Sequence, residues 1–416
     1  MSATPDVLII GAGLAGLSCA RCLADSGISF QIIEASDGIG GRVRTDELEG
    51  FLLDRGFQVL LTAYPEAQRT LDYPALNLRK FSPGAFSWFA GRFNKLADPW
   101  RNSGGWSAAL NSDFCTLWDK LRVLRLRSRL RRSSIAQIFD RPETCIREAL
   151  KISGFSEEFV HRFFRPFFGG MLLDGELKSS SRMFEFIFKM LSEGDAAVPA
   201  RGMGAIPAQI ASHLPENSIR TGARAESLHE NEIALSDGET LSARAIVVAA
   251  DGPSAAHLVA EAEPASRSVT CFYYAADEPP FPDPVILLNG DGAGPVNNFV
   301  VLSQIAPTYA PKGKSLVSVS VLGMQQLTEQ QLGGFVVAQM KNWFGPVARS
   351  WRCLKSYRIQ HAQPQQLPGA LEPPERAVRI RPGIYVCGDH RDNASIHGAM
   401  VSGRRAAEAV LADLSR

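Results

Sequence analysis

Apolar residues along this 416-residue chain fall into three patterns, and each predicts a different kind of element. Short continuous runs come first. Val7-Leu8-Ile9-Ile10 is apolar at every position, as in a strand buried on both faces. Ile28 to Ile33, Ala245 to Ala250 and Gly383 to Cys387 read as further strands. Between the first two, Leu14 to about Ser26 reads as a helix, with Gly27 just past its C-terminus. Alternation is the second pattern: Leu316-Val317-Ser318-Val319-Ser320-Val321 predicts a strand with one buried face. Turn clusters at Pro279-Pro280, Asn289-Gly290 and Pro311 to Lys314 separate it from its neighbours. The third pattern is helical, over 81–199. There Ser156, followed by Glu157 and Glu158, caps a helix after a stop at Gly154. That helix carries Phe159, Phe163, Phe164, Phe167 and Phe168, and Pro166 is expected to kink or end it. The ring cluster either packs a core or lines an apolar tunnel.

Composition narrows the partners. Lys and Arg number 44 against 43 Asp and Glu, a net charge of +1, which lacks the cationic surplus that phosphate backbones demand. Nucleic acid is therefore not expected. No stretch approaches the ~20 apolar residues of a spanning helix. A first strand near Asp6 leaves no room for a signal peptide, so a cytoplasmic chain is expected. Lys120 to Arg132 holds seven basic residues and no acid. It reads either as a solvated helix with snorkelling arginines or as a peripheral contact with an anionic membrane. Seven scattered cysteines make no disulfide framework. Cys19 and Cys22 form a C-x-x-C but lie inside a helix, where two small packing residues are expected.

Gly11-Ala12-Gly13-Leu14-Ala15-Gly16 follows the first strand directly and opens the first helix. Gly11 permits the tight turn, Gly13 lets a pyrophosphate approach the backbone, and Gly16 lets the helix lie close to the sheet. Leu14 and Ala15 place helix N–H groups at the phosphate charge. Glu34, with Ala35 beside it, stands at the end of the second strand, where a carboxylate accepts ribose hydroxyls and repels a 2′-phosphate. A second glycine motif, Gly40-Gly41-Arg42-Val43-Arg44-Thr45, then separates FAD from NAD. Gly41 brings another stretch of backbone to the pyrophosphate and Arg42 neutralises it, a contact simple NAD enzymes do not need.

With this G-G-R-x-x-T segment the chain resembles the superfamily of flavin-containing amine oxidases, protoporphyrinogen oxidases and phytoene desaturases. Asp54-Arg55-Gly56 is similar to the family's turn near the flavin, with Gly56 leaving room for the ring system. Gly388-Asp389 and Ser395 to Gly403 resemble the segment that closes the cofactor site. By that likeness Asp389 bonds the ribityl chain. The helix starting near Gly398, with Ala399 and Met400, aims its positive end at the flavin N1–C2=O edge. Arg201 to Pro207 resembles the G-G-M segment, and Ala225 falls where a backbone group holds the adenine.

The resemblance implies an α/β protein, α+β overall, with a Rossmann-type FAD-binding domain assembled from residues 1–80, 200–262 and 370–416. Residues 81–199 are then a helical insertion, and 263–369 a substrate domain with a mixed or antiparallel sheet. Family members with covalent flavin use a cysteine shortly before the last strand. None lies between Ser356 and Tyr385, so non-covalent FAD is expected. No metal-ligand cluster or nucleophile triad stands out. His390, His361, Tyr357 and Ser395 are the candidate catalytic side chains, each with a structural reading beside it.

Family amine oxidases guide an amine between two aromatic rings, one the tyrosine of Y-M-x-G-A. Here Ser395 occupies that place, and His361 or Tyr357 is the nearest candidate for the second ring. A serine instead resembles plant-type phytoene desaturases, and Ser402-Gly403 continues that match. The expectation is hydride removal from a C–H bond of a lipophilic or conjugated small molecule, with oxygen or a quinone as electron acceptor. Two alternatives stand beside it: amine oxidation yielding imine and hydrogen peroxide, and an FAD-stabilised protein without catalysis.

Overall fold

The computed structural model describes residues 4–97 and 115–415. Its dinucleotide half is a six-stranded sheet ordered Ile219–Arg220, Phe30–Ile33, Val7–Ile10, Ala245–Val248, Ile384–Val386, Arg379–Arg381. All neighbours pair in parallel except the last two. Val7–Ile10 is central and fully buried, which is why its sequence shows no polar alternation. Helix Leu14–Asp25 follows it, and Gly27 sits past its end at φ +72°, the left-handed turn anticipated there.

The last helix, Ile396–Leu414, lies lengthwise on Leu14–Asp25. It starts two residues before Gly398 and is capped by Ser395, whose Oγ accepts from the Gly398 N–H at 3.0 Å. The small residues of this helix serve the helix crossing. A Cβ on Gly403 would come 2.1 Å from the Ala15 carbonyl oxygen.

The other half is a seven-stranded sheet ordered Arg352–Pro364, Ser266–Ala276, Ser315–Leu322, Val296–Val301, Ile286–Asn289, Gly84–Phe89, Arg92–Ala97. Its pairings are antiparallel except Ile286–Asn289 with Gly84–Phe89. The hairpin 84–97 therefore leaves the segment expected to be helical and extends the seven-stranded sheet. Ser315–Leu322 departs from its expected pattern too, because both of its faces are buried. Val317, Val319 and Val321 pack with Leu332, Val336 and Met340 of helix Glu329–Phe344, while the opposite, serine-bearing face looks into the molecule.

In the helical insertion, Ser156 caps as expected, with Oγ accepting from the Phe159 N–H at 3.3 Å. Pro166 neither ends nor sharply breaks the helix. A π turn over Val160–Phe164 comes just before it, and the helical backbone continues without a gap into Arg165–Leu172. Helix Leu117–Arg132 buries Leu126 and Leu130 but leaves Leu117, Trp118 and Leu121 exposed. Among the described residues no helix is long and apolar enough to cross a membrane.

Candidate functional site

Between the two sheets runs a cavity of about 590 Å³. Its first wall is the turn after Val7–Ile10. Gly11 takes φ +108° because a Cβ there would meet the Ala249 carbonyl oxygen at 2.8 Å. Gly16 is squeezed harder: its Cβ would stand 2.0 Å from the Gly11 oxygen. Gly13 differs, being extended at φ −74° with no atom within 4 Å of an added Cβ. That space belongs to the cavity. Helix Leu14–Asp25 begins there with no side-chain cap and no acid in its first turn, so its N–H groups are free for an anion. Gly40 pairs with Gly13, and Gly41 brings its backbone beside it.

Glu34 lines the same wall, already oriented by the backbone. One carboxylate oxygen accepts from the Ala12 N–H at 2.7 Å and the other from the Ser36 N–H at 2.8 Å. Arg42 donates to Asp389 at 2.7 Å and to the Ala362 carbonyl at 3.0 Å. Arg42, expected at the pyrophosphate, and Asp389, which the family likeness placed at the ribityl chain, are thus direct partners on the cavity wall. Gly56, at φ +91°, faces Ile359, whose Cδ1 would be 2.9 Å from a Cβ. Ala35, Ala225, Gly388 and Ala399 complete this part of the wall, but Gly16 and the Met400 side chain lie in the core behind it. The Arg201–Pro207 segment does not reach the cavity; Met203 and Gly204 donate instead to Asp54 and Thr45, both at 2.8 Å.

An open backbone at Gly13, an uncapped helix start and a carboxylate at the second strand's end fit the pyrophosphate and ribose of FAD. Bound there, FAD supplies a two-electron acceptor.

Of the four candidate catalytic side chains, the structure brings only Ser395 onto this wall. The Tyr357 hydroxyl donates to Asp46 at 2.7 Å and points away. His361 lines a small adjoining cleft with Arg42, Gln363 and Asp389. His390 is packed under Gly388, both ring nitrogens without a hydrogen-bond partner among the described residues, and burial pushes its imidazole down to about 4, against the pull of Asp389. The aromatic rings that do face the cavity are Phe57, Tyr64 and Phe167. No motif or period marks Phe57 and Tyr64, which flank the two-residue strand Leu60–Leu61 between Gly56 and the short helix Pro65–Thr70. Phe167 is the one member of the phenylalanine cluster that reaches the cavity, while Phe159, Phe164 and Phe168 are core.

Across 14–411 the chain matches the family model described as flavin containing amine oxidoreductase. The chain belongs to that family. Polyamine oxidase 2 of Arabidopsis thaliana is 45% identical over 53 residues, which is 13% of this chain and 11% of the relative. A 15-cis-phytoene desaturase of Narcissus pseudonarcissus is 30% identical over 130 residues, or 28% of this chain and 22% of the relative. The matched stretches thus cover under a quarter of those proteins. Among solved structures, an oxidoreductase from Methanosarcina mazei has a TM-score of 0.75 at 18% identity, over 99% of this chain and 100% of that one. Cyclohexylamine oxidase from Brevibacterium oxydans has 0.74 at 18%, over 100% of both. These likenesses show the fold.

One further group of this flavin oxidoreductase titrates unusually. His397 packs against both Tyr64 and Phe186 in a three-ring cluster, and burial lowers its imidazole to about 4, with Glu66 opposing and Arg404 assisting. A histidine depressed in the fold contributes full stability above its ordinary 6.5, and that stability is lost as pH falls toward 4. The shift corresponds to roughly 3 kcal/mol in all, of which about 2–2.5 kcal/mol is lost between pH 7 and 4.5. His397→Phe keeps the ring cluster and removes the titration. Its stability relative to the parent is expected to rise by that amount between pH 7 and 4.5 in urea unfolding; a constant difference would contradict the burial argument.

Proposed function

We propose that the protein binds one FAD non-covalently and removes hydride from a C–H bond of an apolar or conjugated small molecule. The observation that carries this reading is the charge distribution on the cavity wall. Its carboxylates are Glu34, Asp251 and Asp389, and all three belong to the dinucleotide half. The residues contributed by 81–199 and 263–369 include Phe167, Met171, Leu173, Ile187, Val269 and Ile359, and none of this part of the wall is charged. A cationic amine entering there meets no counter-charge, whereas an apolar molecule loses nothing by leaving water.

The chain's own residues then bind, orient and exclude water. Arg42, Gly13 and the start of helix Leu14–Asp25 hold the pyrophosphate, Glu34 the ribose, and Gly56 leaves space above the ring system. Phe57, Tyr64 and Phe167 pack the substrate against it. No side chain on the apolar wall is a strong base, in keeping with a reaction whose acceptor is the cofactor and whose protein contribution is position.

The purified protein is expected to be yellow, with about one FAD per chain released intact by acid. The decisive experiment mixes the flavoprotein anaerobically with polyamines, aromatic amines and amino acids, beside carotenoid precursors and porphyrinogens. Bleaching by the apolar panel supports the assignment. Rapid bleaching by an amine alone overturns it in favour of amine oxidation, and no bleaching by any donor favours a protein without catalysis.

A further inference from the structure

The sheet face over the cavity carries three polar side chains, Asn298, Ser320 and Gln363, where the rest of that wall is apolar, and two of them form a pair. Asn298 and Ser320 stand directly opposite one another on adjacent strands, both lining the cavity and only 3% and 4% exposed. Their hydrogen bonds have a direction. Asn297 Nδ2 donates to the Pro166 carbonyl at 2.9 Å and to Asn298 Oδ1 at 3.0 Å. This fixes the Asn298 amide with its nitrogen toward Ser320, and Nδ2 donates to Ser320 Oγ at 3.3 Å. The Ser320 hydroxyl hydrogen and the second amide hydrogen of Asn298 remain. Among the described residues neither has a protein acceptor.

The pair is also held in place. Gly170 lies against it, and a Cβ there would come 2.7 Å from Asn297 Nδ2 and 3.2 Å from Asn298 Oδ1. Packing alone does not account for these residues. The far side of the same strand uses Val317, Val319 and Val321, and a buried donor without an acceptor costs more than a valine.

We propose that Asn298 and Ser320 form a donor anchor for an acceptor oxygen (carbonyl, ether or hydroxyl) on an otherwise apolar substrate. The inference rests on the oxidoreductase reading above and adds the polar group by which the substrate is registered in the cavity.

Isothermal titration calorimetry of the FAD-loaded protein with three molecules of one shape tests it: 4-phenylbutan-2-one, butylbenzene and 4-phenylbutan-2-amine as the ammonium ion. The ketone is expected to bind roughly 5- to 10-fold more tightly than butylbenzene, and the ammonium ion most weakly. Ser320→Ala combined with Asn298→Leu removes both donors and should bring the ketone to within about twofold of butylbenzene. Ser320→Val combined with Asn298→Leu repeats the test with a side chain the strand already uses. Equal binding of ketone and hydrocarbon, tightest binding of the ammonium ion, a ketone preference that survives both variants, or no binding at all overturns the anchor. Failure of the protein to take up FAD would instead overturn the oxidoreductase reading, and heats measured on that colourless protein still decide the ketone preference.

Discussion

Gly13→Val is expected to give a folded, colourless protein whose affinity for FAD has dropped at least roughly a hundredfold. The backbone at Gly13 is extended, at φ −74° and ψ 178°, a conformation that valine adopts without strain. Nothing of the protein stands within 4 Å of the new Cβ, so the apoprotein has no reason to unfold. The branched side chain projects into the space where the pyrophosphate meets the helix start. Gly16→Val is the control. There the Cβ would lie 2.0 Å from the Gly11 carbonyl oxygen, so the helix must part from the sheet and the fold itself suffers. Dialysis against FAD, with circular dichroism on the same samples, separates the two. Retained yellow colour in folded Gly13→Val would place the cofactor elsewhere, and matching losses of fold in both variants would remove the distinction between an open glycine and a packed one.

The dinucleotide half was legible because its constraints are local. A fully apolar strand, a glycine turn, a helix and an acid at the next strand's end are each imposed by neighbours within a few dozen residues. The closing segment around Gly388 and Asp389 was legible for a different reason: it is similar to a family pattern, and local physics alone does not say that Asp389 meets Arg42. The half built on the seven-stranded sheet was less legible, and the alternating strand shows why. Period two in Ser315–Leu322 was a correct sign of a strand, but a serine every second residue reads as a solvent face when the true neighbour is an internal cavity. A polar residue facing water and one facing a ligand look alike in a sequence.

The same limit hid the cavity's aromatic wall. Tyr64 and Phe57 flank the short strand Leu60–Leu61, and what brings them together is the fold of segments more than a hundred residues away. Phe186, for example, stacks on Tyr64 from the helical insertion, with ring centroids 5.9 Å apart. Tyr357 and His361 were singled out by their place in the chain, yet the strand Arg352–Pro364 turns Tyr357 toward Asp46 and its long-range partner decides its role.

Long-range placement also explains Asp54, which precedes Gly56 and was read only as part of a flavin turn. Its carboxyl is 2% exposed and accepts from the Thr45 hydroxyl at 2.5 Å, the Met203 N–H at 2.8 Å and the Tyr309 hydroxyl at 2.8 Å. Tyr273 adds a bond to the Asp54 carbonyl at 2.8 Å. One residue therefore ties the Asp54–Gly56 turn to the Arg201–Pro207 segment and to two tyrosines, Tyr273 and Tyr309, of the other half. Asp54→Ala leaves those donors buried without an acceptor and is expected to cost about 2–5 kcal/mol in urea unfolding, with weakened FAD retention through Gly56. A loss below roughly 1 kcal/mol would mean that water or neighbouring groups take over the bonds. Asp54→Asn tests the charge separately. Burial raises the carboxyl to about 6, with the Thr45, Met203 and Tyr309 donors pulling the other way. A carboxyl raised in the fold contributes stability that is fully present below its ordinary 3.8 and lost as pH rises through 6. The amide does not titrate, so the parent's advantage over Asp54→Asn should shrink between pH 4 and pH 7. An advantage that instead grows with pH would show that the three donors outweigh burial and that Asp54 works as a carboxylate throughout.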